Sequence, residues 1–506
     1  MSLLKKYIPI LLLLLFSKSF YSQISYGKRI EIEDEFNDNG IYEFGEQGFI
    51  FSTVNFTDDR QSKNWVYDFY NTDLEKVSSV EIDVDKKLRL DEKFSDGKEL
   101  YSIFKNVKGD FVIVTVNPQE KSLESISGSL PRKCRIRDMV VSGDFAYFKS
   151  VIKGNSYLFT INLNTGLQKP IMLSVAGTKP KDLMLESFQL IEGEDEIMLL
   201  VSAKISRKKT ESKIVILNSK GDKKAVFDVF RNMEQNIISA TASKLSDNSY
   251  LVLGTFAKDS KVTSEGIYIS KITDGQLEYI KFYNYIDLQN FLSYLPEKRQ
   301  KKIEKKKKRK ESRGNDFALN YNIAAHDVIV RDDGYLLIGE AYYATYYTET
   351  YTTTSTVNGH TTVTTHTRQV FDGYQYTHAY IAKFGFDGDL IWDQTFSMWP
   401  TYKPFRVKEF ISVAENDDQS VKMVYVSYNR IMTKLLGNDG QVISDFQTEE
   451  IETGFEGDKV KRSFSNIDYW YGNVFIAYGN QKIKNKENKD VERKRKIYFI
   501  SKIVFE

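Results

Sequence analysis

Cysteine, histidine, proline and long apolar runs are all scarce in this chain, and each shortage removes a class of function. A single cysteine, Cys134, excludes a disulfide framework and any thiolate cluster for zinc or iron–sulfur. The four histidines, His326, His360, His366 and His378, form no His-Glu-x-x-His motif and no two-His-one-carboxylate spacing, so no metal site is expected. Charge of one sign is lacking too: 71 Lys+Arg against 69 Asp+Glu leave a net +2 over 506 residues, which excludes a nucleic-acid coat. After residue 22 no stretch approaches the roughly 18 apolar residues of a membrane-spanning helix, so no span is expected in the mature chain. What is abundant is aromatic: 33 Phe and 32 Tyr within a 41% hydrophobic composition promise a folded protein with a large core.

Residues 1–22 have the three parts of a secretory signal peptide: Lys5 and Lys6, the apolar run Ile8 to Phe16, then Ser17, Ser19 and Ser22. At about 1.5 Å per residue that run falls far short of a hydrocarbon core of roughly 30 Å, so cleavage is expected, after Ser22 or after Ser19. A lipid anchor needs a cysteine at the new N-terminus, and none precedes Cys134. The C-terminal residues, Ile497 to Glu506, have the pattern of a strand of the main fold and not of a sorting domain. Export to the periplasm is the expectation.

Short runs of Val, Ile, Phe and Tyr bounded by Gly, Asp and Asn predict strands throughout. A unit recurs: polar turn, apolar strand, hairpin, second strand, turn. Its clearest copies run from Leu245 to Ile272 and from Arg331 to Phe384; weaker ones begin near Gly48, Asp110, Asp144, Glu196, Ser420 and Asn473. Eight units result, several near the 40–50 residues of a propeller blade, although the second is short and leaves seven blades open. Since small sheets cannot bury both faces alone, radial stacking is the natural solution. The predicted fold is all-β, one seven- or eight-bladed β-propeller over residues 23–506, closed by pairing Arg29–Glu33 with the last sheet. Two β-sandwiches in series are the alternative.

Two insertions break the regularity, residues 283–313 and 341–376. In the first, Asp287 to Leu295 has apolar residues at helical spacing. After Pro296, residues 297–313 hold eleven Lys/Arg against three Asp/Glu, a local +8 that leaves the rest of the chain at −6. The second holds Tyr342, Tyr343, Tyr346 and Tyr347 and a Thr-rich stretch turning at Asn358-Gly359. Long structured insertions in a repeat fold tend to be functional surfaces.

The segment Leu295-Pro-Glu-Lys-Arg-Gln300 with its basic run, then Gly339 to Tyr343, Phe371 to His378 and Phe386 to Asp393, resembles a family of exported β-propeller proteins of Bacteroidota-type cell envelopes. The match spans about residues 245–400, and Tyr376-Thr-His378 with Asp387-Gly-Asp-Leu-Ile-Trp392 is its most specific part. It implies periplasmic location without assigned catalysis. The turn ending at Trp392 is also similar to quinone-type propeller repeats, but one copy implies no quinone. The chain is also similar to the plug subunits that close the periplasmic mouth of the type 9 secretion translocon, a likeness without a motif-by-motif match.

Most catalytic patterns are absent from the sequence. Gly-x-Ser-x-Gly and the phosphate-cradling Gly-x-x-x-x-Gly-Lys-Ser/Thr loop are missing, and Ser-x-x-Lys pairs such as Ser95/Lys98 are expected by chance in so Ser- and Lys-rich a chain. Asp58-Asp59, Asp332-Asp333 and Asp417-Asp418 lie at turn positions and read as turn formers. The expectation is therefore a non-enzyme without cofactor, a scaffold or binding subunit. Its partner would be an outer-membrane β-barrel or envelope translocation or assembly complex at the inner face of the outer membrane. Lys305, Lys306, Lys307, Lys308, Arg309 and Lys310 would steer association, or touch anionic headgroups behind an amphipathic Leu288–Leu295; the tyrosines would anchor. No nucleic acid is expected, because the basic run lacks interleaved aromatics. The alternative is a carbohydrate-active or ligand-binding propeller that uses its central funnel.

Overall fold

The computed structural model describes residues 24–33, 39–56, 61–175, 178–191, 194–206, 209–228, 230, 233–258, 260 and 262–505. The expected signal peptide lies outside these residues, as does the Asp58-Asp59 pair.

Runs that alternate or stay apolar, each closed by an Asn-, Asp- or Gly-bearing turn, form strands that assemble into eight antiparallel sheets. Seven have four strands and one has five. They are numbered here as blades 1 to 8: residues 40–85, 89–129, 135–171, 183–227, 236–284, 322–397, 412–450 and 458–505. Within each, hydrogen-bonded order follows chain order. Blade 8 borrows its fourth strand from the other end of the chain, where Ile24–Glu33 lies against Lys494–Phe505 with Ile24 opposite Phe505 and Glu33 opposite Ile497. That is the closure expected from Arg29–Glu33.

A sheet apolar on both faces needs a neighbour on each side. Ile197–Lys204 in blade 4, for example, is buried at every position but the last. Eight apolar clusters supply the neighbours, each joining one consecutive pair of blades. The eighth joins blade 8 back to blade 1 through Trp470, Tyr498, Phe49 and Tyr70. There the Trp470 indole meets Phe49 edge-on at 5.6 Å and donates to the Gly48 carbonyl at 3.2 Å. The protein is an eight-bladed β-propeller. Sandwiches in series would leave the 8-to-1 core without purpose. The short second repeat has a simple origin: seven repeats mark second strands, whereas the one at Asp110 opens the third strand of blade 2, after Leu100–Lys105.

First strands of blades 2 to 5 touch in succession, and so do those of blades 7 and 8, while fourth strands such as Lys76–Asp85 are largely exposed. First strands therefore line the axis. Antiparallel order then sorts the loops: turns joining strands one to two and three to four open on one face. Turns joining strands two to three, and the connections between blades, open on the other. The Asp387–Trp392 turn is a clamp between blades 6 and 7: the Trp392 indole donates to the Asn438 carbonyl at 3.0 Å. Gly440, at φ 77°, packs on the indole so closely that a Cβ would lie 2.5 Å from it.

One local expectation is corrected. Residues 288–295 are turns, not helix, because their apolar side chains are drawn into the core between blades 5 and 6: Leu288 and Phe291 are buried and Leu292 packs on them. The helix, α1 (Glu297–Glu311), begins only after Pro296, which supplies the extended entry that favours a helix start.

Candidate functional site

Three segments emerge on the face that carries the interblade connections. The first is the 5-to-6 connection with α1; the second is a long hairpin between strands two and three of blade 6; the third is the 6-to-7 connection, residues 398–411. The second and third meet at the hairpin base, where the Tyr374 amide donates to the Pro404 carbonyl at 2.9 Å. Lys403 pairs with Asp372 at 2.7 Å, and Gly373, at φ 91°, lets the Lys403 carbonyl approach where a Cβ would stand 2.6 Å away.

The hairpin strands are Gly334–Val357 and His360–Phe384, paired from Tyr335 opposite Phe384 to Val357 opposite His360. Only their lower parts belong to the blade. Beyond Phe371 the ribbon projects; at about 3.3 Å per residue it reaches some 35–40 Å. Two bulges at its root, between Ala341 and Tyr342 and between Ala344 and Tyr346, set the phase. Tyr342 turns inward against Tyr374 and Tyr376, at 5.1 and 5.4 Å, and burial pushes its hydroxyl up to about 12. It is half-buried there. Tyr343, Tyr346 and Tyr347 are exposed. Tyr346 meets Phe371 at 5.8 Å, and Phe371 meets Phe405 of the 398–411 segment at 5.8 Å. With Phe405 71% exposed and Trp399 and Val407 also exposed, aromatic surface continues from ribbon root to connection.

Helix α1 carries ten Lys/Arg against three Glu, a net of +7, and has no buried residue. Lys305, Lys306, Lys308, Arg309 and Lys310 face solvent. Lys306 and Lys310 lean over the Phe317 ring at 5.6 and 5.8 Å. Lys307 is used internally, tied to Asp287 at 2.6 Å. A further basic stretch, residues 482–496, forms the hairpin between the second and third strands of blade 8.

The 398–411 segment was missed as a functional element, although it holds two of the eight prolines, Pro400 and Pro404. It acts as a strap. At one point Arg406 crosses to blade 2 and pairs with Glu92. Its far end is fixed by Glu340, a fully buried carboxylate that accepts the Phe410 and Ile411 amides at 2.8–3.0 Å and meets His326 Nε2 at 2.8 Å. Acceptance of two amides and an imidazole satisfies a carboxylate that burial would otherwise make costly.

Beneath the strap the axial channel is acidic. First strands contribute Glu43, Glu92, Asp138, Glu186 and Asp468; Asp327 and the strap's own Glu409 join them. Asp327 is reached by Gln189 of blade 4 at 3.3 Å and Thr241 of blade 5 at 3.2 Å, which places it among the axial first strands. Burial raises the Glu92, Asp138, Glu186, Asp327 and Glu409 carboxyls above the ordinary carboxylate range. Glu43 and Asp468 are raised by burial as well, and Glu43 further by the Asp468 charge. Their signal in the sequence was an acidic residue within several of the first strands, at Glu43, Glu92, Asp138, Glu186 and Asp468.

The histidines serve structure. His378 is fully buried, stacked on Tyr294 at 3.8 Å with Phe291 and Tyr321 edge-on, and burial lowers it to about 3. His366 stacks on Tyr351 at 5.3 Å; His360 sits at the ribbon tip, six residues away on the same strand and about 20 Å distant. Among the described residues no group of three or more His, Cys, Asp or Glu is arranged to hold a metal ion. No helix among them is long and apolar enough to cross a membrane.

No family model matches the chain, and no curated protein matches it. Solved structures do. A dihydro-heme d1 dehydrogenase in complex with DHE is 9% identical, covers 94% of this chain and 76% of its own, and has a TM-score of 0.41. The β-propeller domain of the Trilobed protease from Pyrococcus furiosus is 11% identical over 81% of this chain and 99% of its own, TM-score 0.32. The periplasmic gluconolactonase of Pseudomonas aeruginosa is 9% identical over 79% and 96%, TM-score 0.38. Likeness at this level carries nothing about activity.

Proposed function

We propose that the protein is a non-enzymatic, exported docking disc whose insertion-bearing face seats on an outer-membrane β-barrel or envelope complex for protein translocation or assembly. The observation that carries this reading is the convergence of α1, the ribbon and the strap on one face. It puts a +7 helix on the same face as exposed Tyr343, Tyr346, Tyr347, Trp399 and Phe405. Aromatic side chains supply the contact energy of an interface, and the helix supplies long-range attraction to an acidic partner. A rigid ring with an axial strap suits a part that closes a pore, as the likeness to type 9 plug subunits implies. Purification of the tagged native protein from detergent-solubilised envelopes should recover a barrel or envelope partner. Repeated recovery without any partner defeats the reading.

The acidic channel favours a second reading, a cationic ligand entering from the face opposite the strap. It predicts a rise in melting temperature with divalent ions or polyamines; a flat response across such a panel removes it.

A further inference from the structure

The distal ribbon has an open strand edge. Above the root, the two strands pair only with each other, with no register shift from Tyr346 opposite Phe371 to Val357 opposite His360. Apart from Val357, whose side chain is not described, residues 350–369 are all exposed. A two-stranded ribbon is marginal in water by itself. Proteins blunt such edges with Lys, Pro, bulges or a covering segment. Residues 346–371 contain neither Lys nor Pro. The edge of the second strand is covered near its root by the strap, through Tyr374 on Pro404 and Asp372 on Lys403. Among the described residues, no backbone group outside the hairpin pairs with the first strand from Tyr346 to Val357.

Charge and side-chain phase indicate what fits there. The only charges of the ribbon, Glu349 and Arg368, neutralise each other across the strands. One face of the first strand is threonine at every position, Thr348, Thr350, Thr352, Thr354 and Thr356. We propose that this edge pairs antiparallel with the same edge of a second copy, about a two-fold axis at Thr352, to make a four-stranded sheet. In that register Thr348 faces Thr356, Thr350 faces Thr354 and Thr352 faces its own copy. Thr–Thr is a favourable cross-strand pair, and no like charges meet, since Glu349 faces Ser355 and Tyr351 faces Thr353. An isologous contact needs this self-complementarity. The inference stands apart from the envelope reading, because a dimer can form whether or not a barrel is bound.

The test is the light-scattering mass of the purified protein over a concentration series. Twice the mass of one chain is expected at high concentration, with dissociation on dilution. Thr352→Lys, which sets two like charges face to face, should weaken association about tenfold or more at unchanged melting temperature. Thr365→Lys, on the same face of the second strand, should leave it intact. Thr352→Cys should give a disulfide-linked dimer on oxidation, Cys134 being buried. A single-chain mass at every concentration overturns the proposal. So does a dimer indifferent to Thr352→Lys, or one broken equally by Thr365→Lys.

Discussion

The root and the distal part of the blade 6 hairpin belong to the same two continuous strands, separated by two bulges, yet their surroundings are opposite. At the root, Leu336, Leu337, Ala379, Tyr380, Ile381, Ala382 and Phe384 are fully buried between blades 5, 6 and 7. Further out, both faces of the ribbon meet water. Backbone pairing is the same in both, so it cannot be what distinguishes stability from recognition; burial against neighbouring sheets does. The ring holds itself together with apolar clusters, and the projecting parts are free to be uncharged, Thr-rich or strongly basic because the fold does not depend on them.

The largest expected contrast comes from paired truncations. Phe384→Ala at the root should cost about 3–5 kcal/mol by denaturant titration, whereas Tyr351→Ala in the ribbon should stay within about 0.5 kcal/mol. Next, Glu340→Ala leaves the buried Phe410 and Ile411 amides without an acceptor and should cost about 3 kcal/mol. It should also loosen the strap, seen as faster hydrogen exchange over residues 399–411.

Acid dependence sharpens the comparison within the core. His378 is lowered to about 3 by burial, against about 6.5 in the unfolded chain. Above pH 6.5 both states are neutral there and its contribution is constant. As pH falls from 6.5 toward 3 the unfolded chain takes up a proton that the folded one refuses. Stability therefore declines by about 1.4 kcal/mol per pH unit from this group. The raised channel carboxyls act the other way, since the folded state binds their protons first. The difference between wild type and His378→Phe isolates the histidine: wild type should lose stability relative to the variant as pH falls through that window, and a constant difference contradicts the burial. The smallest effect is expected from replacing residues 346–370 with a two-residue Asn-Gly turn, which should shift unfolding by no more than about 0.5 kcal/mol.

Much of this fold was legible because it rests on local pattern. Strand runs and turn residues marked eight repeats, and the strand pattern of Arg29–Glu33 and of the last residues pointed to a ring sealed by both termini. What escaped were features decided at long range. Arg406 reaches Glu92 across 314 residues, and nothing near either position announces it. Leu288, Phe291 and Leu292 do have helical spacing, but a neighbouring blade gap claimed them and broke the helix. Among the tyrosines, alternation alone could not tell Tyr342 from Tyr343, because the bulges at Ala341/Tyr342 and Ala344/Tyr346 decide which side each takes. The basic run was visible, while the loss of Lys307 to Asp287 depended on where the helix lay.

Site-specific photo-crosslinking in intact cells separates the two faces of the disc most directly. Probes replacing Tyr346 and Phe405 should capture an envelope protein reproducibly, while probes at Asp195 and Asp439, on turns of the opposite face, should capture none. Capture from Asp195 and Asp439 alone, or from neither face, would contradict the assignment of recognition to the insertion-bearing side.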